Sequence, residues 1–197
     1  MVRRIVRTRL PARGGAFELY AYEEDTGGRV HLALVKGEIG TASQVLVRIH
    51  SECLTGDVFH SLRCDCGEQL DTALKRIQAE EAGIFIYLRQ EGRGIGLVEK
   101  LRAYELQDRG LDTVEANAEL GFQADQRDYE AAVSILHDLQ VTSVRLLTNN
   151  PMKVSELQCS TIKVSERVPL ETQPNHENAN YLRTKRDRLG HLLDLRD

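Results

Sequence analysis
Three cysteines, Cys53, Cys64 and Cys66, stand in the arrangement C-x10-C-x-C, within Ser51-Glu52-Cys53-Leu54-Thr55-Gly56-Asp57 and Ser61-Leu62-Arg63-Cys64-Asp65-Cys66-Gly67. Thiolates are soft anionic ligands that suit zinc, and the metal in turn keeps them deprotonated. Their number is informative, because structural zinc takes four protein ligands whereas catalytic zinc leaves one corner for water. No fourth cysteine lies close in sequence, and Cys159 reads as a core or surface thiol. His50 and His60 are candidates to close the site, against the ordinary reading of each as a surface or hydrogen-bonded histidine. The plainer account of the cysteines, three small buried apolar residues, sits poorly with Arg63, Asp65 and Glu68 around the C-x-C pair.

A second group follows an apolar strand, Ile84 to Leu88, which runs into Arg89-Gln90-Glu91-Gly92-Arg93-Gly94-Ile95-Gly96-Leu97 and then opens a helix. Glycines at such a turn let backbone approach a ligand, and the free N–H groups of a helix start favour an anion. The spacing G-x-G-x-G is neither the dinucleotide fingerprint nor a P-loop. A tight turn alone would explain the glycines, but Arg89 and Arg93 add paired donors that match phosphate oxygens. Asp125 and Arg127 stand just before a third helix, where an N-cap carboxylate is the bland explanation. Leu147-Thr148-Asn149-Asn150-Pro151-Met152-Lys153 closes a strand and starts a helix, a place where α/β proteins bind ligands and where Asn149 or Asn150 would also serve as a plain N-cap.

These groups must be positioned by regular elements. Ile5 to Leu10, Ala16 to Tyr22, Val30 to Lys36 and Val45 to Ile49 are β-prone runs separated by turns such as Arg13-Gly14-Gly15 and Thr26-Gly27-Gly28, which predict an antiparallel N-terminal β region. Helices are predicted at about Gly67 to Glu80, Ile95 to Asp108, Asp128 to Leu139 and after Pro151, alternating with strands at Ile84 to Leu88, Ser143 to Leu147 and Thr161 to Val168. The predicted fold is α/β, a mixed sheet with largely parallel βα units and an antiparallel N-terminal β region. Residues 1–170 are expected to form one catalytic domain, and 171–197 a polar tail.

The chain has 197 residues, 41% hydrophobic and 28% charged, enough for a sizeable core. A formal charge of −4 argues against a nucleic-acid partner but allows a local cluster of arginines around a small anion. There is no signal-peptide run and no membrane span, so the expected address is the cytoplasm, where cysteines stay reduced and close spacings point to metal.

Together these motifs resemble GTP cyclohydrolase II along nearly the whole length. Five blocks carry the resemblance: Arg48 to Asp57, Leu62 to Gly67, Arg89 to Leu97, Asp112-Thr113-Val114-Glu115-Ala116-Asn117, and Arg145-Leu146-Leu147-Thr148-Asn149-Asn150-Pro151. The resemblance implies one zinc ion per subunit on Cys53, Cys64 and Cys66, with magnesium accompanying the triphosphate. It implies GTP contacts from Arg48, Ile49, His50, Ser51, Glu52, Gln69, Glu91, Gly92, Arg93, Thr113, Thr148 and Lys153. Asp125 is implied as proton acceptor, Arg127 as the group proposed to attack the α-phosphate, and Tyr104 as a further residue of the site. Ala12 in place of a usual Thr, and the lack of a glycine in Gln158-Cys159-Ser160-Thr161, are departures that leave this chemistry untouched.

The implied activity is hydrolysis of GTP with loss of formate and pyrophosphate, the first step of riboflavin synthesis, in a stand-alone homodimeric enzyme with no membrane partner. The alternatives are a paralogue that acts on another nucleotide or retains the formyl group, and a non-catalytic nucleotide sensor with structural zinc. A zinc nucleobase deaminase is excluded, because its H-x-E and P-C-x-x-C signature is absent.

Overall fold
A computed structural model describes residues 1–12, 15–41 and 44–195. Arg13 and Gly14 of the expected first turn lie outside the described residues, as do the last two residues of the expected tail. The chain divides into two compact units, one of Met1–His50, Leu70–Arg89 and Asp128–Leu170, the other of Ser51–Gln69, Gln90–Arg127 and Glu171–Asp197.

The first unit is built on a mixed seven-stranded sheet. Its strands are β1 (Val2–Ala12), β2 (Gly15–Glu24), β3 (Val30–Lys36), β4 (Val45–Ser51), β5 (Gly83–Leu88), β6 (Ser143–Leu147) and β7 (Lys163–Val168), in the order β1-β2-β3-β5-β4-β6-β7. The β1–β2, β2–β3 and β3–β5 pairs are antiparallel, while β4–β6 and β6–β7 are parallel. The expected α/β class with an antiparallel N-terminal region is thus observed, and the antiparallel part extends to β5.

Side-chain periodicity explains each strand's place. In β3, His31, Ala33 and Val35 are buried at every second position, as for a strand with one face on a core. The central strands β4 and β5 are buried almost throughout, which matches the apolar runs Val45-Leu46-Val47 and Ile84-Phe85-Ile86, while β4 also buries the polar Arg48 and His50. Edge strand β1 exposes most of its side chains, and its arginines are a charged edge that discourages further pairing. Helix α5 (Glu130–Asp138) packs Ala131, Ala132, Ile135 and Leu136 into the larger apolar cluster, with Tyr22, Val47, Ile86 and Leu146. Helix α6 (Pro151–Gln158) starts at an Asn150 N-cap, whose side chain accepts from the Met152 N–H, with proline at the first helical position.

The second unit carries the short helix α1 (Leu54–Asp57), the first turn of α2 (Cys66–Ala79), and a 3-10 turn at Glu91–Gly94. It continues through α3 (Leu97–Asp108), α4 (Thr113–Glu119) and α7 (Ala179–Asp187). Helix α4 begins with a capping box: Asp112 accepts from the Val114 and Glu115 N–H groups, and the Glu115 side chain accepts from the Asp112 N–H. Helix α7 buries Leu182 and Lys185, within the segment the sequence presents as a polar tail. Among the described residues, no helix is long and apolar enough to cross a membrane.

Candidate metal centre and its surroundings
The three cysteines converge in the second unit. Cys53 precedes α1, Cys64 precedes α2 and Cys66 is its first residue. All three Sγ atoms lie within 4.8 Å of one another, with Cys53 and Cys64 3.7 Å apart. Tetrahedral zinc with Zn–S bonds of about 2.3 Å requires sulfurs roughly 3.8 Å apart, so the cluster fits that ion. Among the described residues of this unit, no fourth cysteine, histidine or carboxylate joins the three sulfurs within that range, and His60 is exposed.

Two features keep the sulfurs together. Asp57 accepts from the Cys53 N–H at 3.0 Å, closing the turn that presents Cys53. Gly56 is buried against the cluster, where an added Cβ would stand 2.8 Å from Cys64 Sγ and 3.2 Å from Cys53 Sγ. Only glycine fits there without moving a ligand atom.

Lys100, which sequence reasoning missed, donates to Cys53 Sγ at 3.1 Å and to Glu91 at 2.8 Å. Its place one helical turn before Tyr104 was the available signal, since positions i and i+4 share a helix face. As bare thiols the three are unequal: hydrogen bonds from Cys64 and Cys66, then the Lys100 ammonium, pull Cys53 far below the ordinary thiol range despite burial. The same sharing with Cys53 pushes Cys64 upward. Burial works against the Lys100 charge, but Cys53, Tyr104 and Glu91 outweigh it and hold the ammonium protonated. Tyr104 is held above its ordinary range by burial, with its hydroxyl 3.3 Å from Thr55 Oγ1.

The glycine-bearing loop adopts an unusual backbone. Gly92 and Arg93 are consecutive left-handed residues, with φ of 62° and 60°. For arginine this conformation costs about 1–3 kcal/mol and must be held by its surroundings. Here the Gln126 N–H donates to the Arg93 carbonyl at 3.0 Å. Both terminal nitrogens of Arg93 are buried without an acceptor among the described residues, and its guanidinium lies 5.7 Å from the Tyr181 ring centre. A desolvated guanidinium left in this way favours an incoming anion. Both oxygens of Glu91 are engaged by the protein, one with the Leu54 N–H at 2.6 Å and the other with the Gly92 N–H and Lys100, each at 2.8 Å.

Asp125 and Arg127 pair with each other through Arg127 Nε at 2.8 Å and a second contact from Nη2, and the Arg127 N–H also donates to the carboxylate. Burial tends to raise the Asp125 pKa, but Arg127 and then Arg93 outweigh it and hold the group below the usual carboxylate range. Buried Asn117 on α4 donates to the carbonyls of Gln123 and Ala124, bracing the segment that presents Asp125. Thr113 is the first residue of α4. Gln69 donates to Asp65 at 2.6 Å, and Ser51 accepts from Gln90 at 2.8 Å. Glu52 also lies in this unit.

The remaining expected nucleotide contacts belong to the first unit, at the carboxyl ends of parallel strands β4 and β6. Arg48 donates to the Leu147 carbonyl at 3.0 Å, and Lys153 donates to that of Ile49 at 2.8 Å. His50 stacks against Phe85 and Tyr87, each with ring centres 5.6 Å away. Thr148 Oγ1 accepts from the Asn150 N–H, which shapes the turn into α6. Ends of parallel strands in α/β sheets are where ligands bind.

Comparison with known proteins gives a consistent set. A family profile described as GTP cyclohydrolase II matches residues 3–169. The riboflavin biosynthesis protein RibBA of Chlorobium phaeovibrioides is 55% identical over 98% of this chain and 47% of its own length. RibBA of Bacillus mycoides is 56% identical over 99% of this chain and 49% of its own length. The riboflavin biosynthesis protein VVA0006 of Vibrio vulnificus is 55% identical, over 98% of this chain and 53% of its own. The chain therefore spans about half the length of the curated relatives it matches.

Proposed function
The chain belongs to the GTP cyclohydrolase II family, and from that premise we propose that it hydrolyses GTP, opening the imidazole ring of guanine. Formate and pyrophosphate leave, and a diamino-ribosylaminopyrimidinone phosphate remains, the first intermediate of riboflavin synthesis. In this reading the working form is a cytoplasmic homodimer without nucleic-acid or membrane partners. The observation that carries the reading is the cluster of three cysteine sulfurs beside Lys100 and Tyr104, within a sequence of this family.

Cys53, Cys64 and Cys66 would hold a zinc ion. When bound, it supplies Lewis-acid activation of water for hydrolysis at the ring carbon. Three thiolates donate much charge, and Lys100 offsets part of this by hydrogen-bonding Cys53 Sγ. Tyr104 keeps its proton at neutral pH and can give it to a ring nitrogen as the ring opens. A second hydrolysis at the same carbon releases formate.

Loss of pyrophosphate is a separate hydrolysis at the α-phosphorus, in which a water oxygen forms the new P–O bond as the bond to pyrophosphate breaks, with magnesium accompanying the triphosphate. Arg93 and Lys153 offer positive charge to phosphate oxygens, and Arg48 through Glu52, Gln69, Glu91, Gly92, Thr113 and Thr148 complete the proposed GTP contacts. Asp125 is the proposed proton acceptor; because Arg127 depresses its pKa, it is ionised at neutral pH but weakly basic while the pair persists. The same pair stabilises the charged guanidinium of Arg127, and nucleophilic attack would require that charge to be lost. Electrostatic stabilisation of the α-phosphate is the role this geometry favours for Arg127.

The test is incubation with GTP, zinc and magnesium, assaying formate and pyrophosphate together, for the wild type and Cys64→Ser. The wild type should release both products, and the variant should bind or cleave the phosphates to some degree without formate. Formate output from Cys64→Ser equal to that of the wild type would remove the metal from the mechanism. A formyl-bearing wild-type product would assign a shorter reaction.

A further inference from the structure
We propose that helix α7 fixes the metal loop, with Lys185 and Tyr181 as positioning residues; this rests on reading the three cysteines as a divalent-metal site. Asp65, the residue between Cys64 and Cys66, is only 2% exposed. One of its oxygens accepts from Lys185 Nζ at 2.5 Å. The other accepts from Gln69 at 2.6 Å and Thr172 at 3.3 Å. A carboxylate engaged on both oxygens cannot swing, and the backbone that carries Cys64 and Cys66 is held with it.

Lys185 does not act alone. Tyr181, one turn earlier, places its ring centre 4.6 Å from Lys185 Nζ and 5.7 Å from the guanidinium carbon of Arg93. Arg188, one turn later, pairs with Asp112 at 2.8 Å, the N-cap of α4 next to Thr113. Positions 181, 185 and 188 have the i, i+4, i+7 spacing of a single helix face. One stripe therefore touches the metal loop, the left-handed turn at Arg93 and the start of α4. Residues 179–187 lie beyond the part of the chain that the family profile matches. A buried ion pair is a poor source of net stability, but its strict geometry suits the fixing of a loop.

The test uses the full chain loaded with cobalt(II), which reports thiolate coordination through its charge-transfer absorption. The double variant Asp65→Asn/Lys185→Met removes both charges together, leaving neither buried and unpaired, and Tyr181→Leu leaves the ion pair in place. Circular dichroism identifies folded variants. We expect the double variant to release cobalt to a chelator about 10–100-fold faster than the wild type, with a shifted charge-transfer band, and Tyr181→Leu to accelerate release in the same direction. Unchanged release and spectrum in either folded variant would overturn the proposal. A wild-type chain that takes up no cobalt would instead defeat the metal reading on which it rests.

Discussion

Gly56 separates a steric from an electronic requirement at the metal loop. Its backbone is not in the left-handed region, so alanine meets no conformational penalty there; what it meets is Cys64 Sγ at 2.8 Å and Cys66 Cβ at 2.9 Å. Gly56→Ala should therefore cost about 1–3 kcal/mol of overpacking and weaken metal retention, read as zinc content after dialysis against a chelator. Wild-type zinc content in that variant would mean that the sulfurs have room this geometry denies them. At this scale the sequence was partly legible. The cysteines announced themselves because thiol spacing survives without knowledge of the fold. Lys100 did not, because its partner Cys53 is 47 residues away and a lysine on a helix is ordinarily a solvated charge. Nor did the left-handed arginine beside Gly92, since glycine is the residue that φ > 0 normally selects.

Elements with long apolar runs could be read directly. Strands β3 and β6 are centred on apolar residues, Leu32 and Leu34 with Ala33 and Val35 in one and Val144, Leu146 and Leu147 in the other, and α5 follows its Ala-Ala-Ile-Leu face. The elements that escaped, α1, α4 and α7, have four, seven and nine residues. None carries enough apolar periodicity to stand out, and α7 packs through a lysine and a tyrosine as well as Leu182. The capping box of α4 was nevertheless written in Asp112-Thr113-Val114-Glu115. Asp112→Ala removes that cap together with the Arg188 contact, and should lower unfolding stability by about 1 kcal/mol. Urea denaturation checks this as a lower midpoint with an unchanged slope; an unchanged midpoint would show that the cap is not what secures α4.

For the whole molecule, the sequence indicated the mixed α/β class and the order of its strands with helices α2, α3, α5 and α6. It did not indicate that the chain is shared between two compact units, each assembled from three separated stretches. Such a division depends on contacts between residues far apart in sequence, such as the pairing of Arg4 with Asp138, 134 positions on, in the first unit and of Asp65 with Lys185, 120 positions on, in the second. Shorter separations serve the cysteines: Cys53 meets Cys64 across 11 positions and takes Lys100 as its charged neighbour across 47. Zinc X-ray absorption of the purified chain tests the central claim most directly. Three sulfur scatterers at about 2.3 Å and one oxygen or nitrogen at about 2.0 Å are expected for a metal with a corner left for chemistry; a shell of four sulfurs, or one with no sulfur, would contradict it.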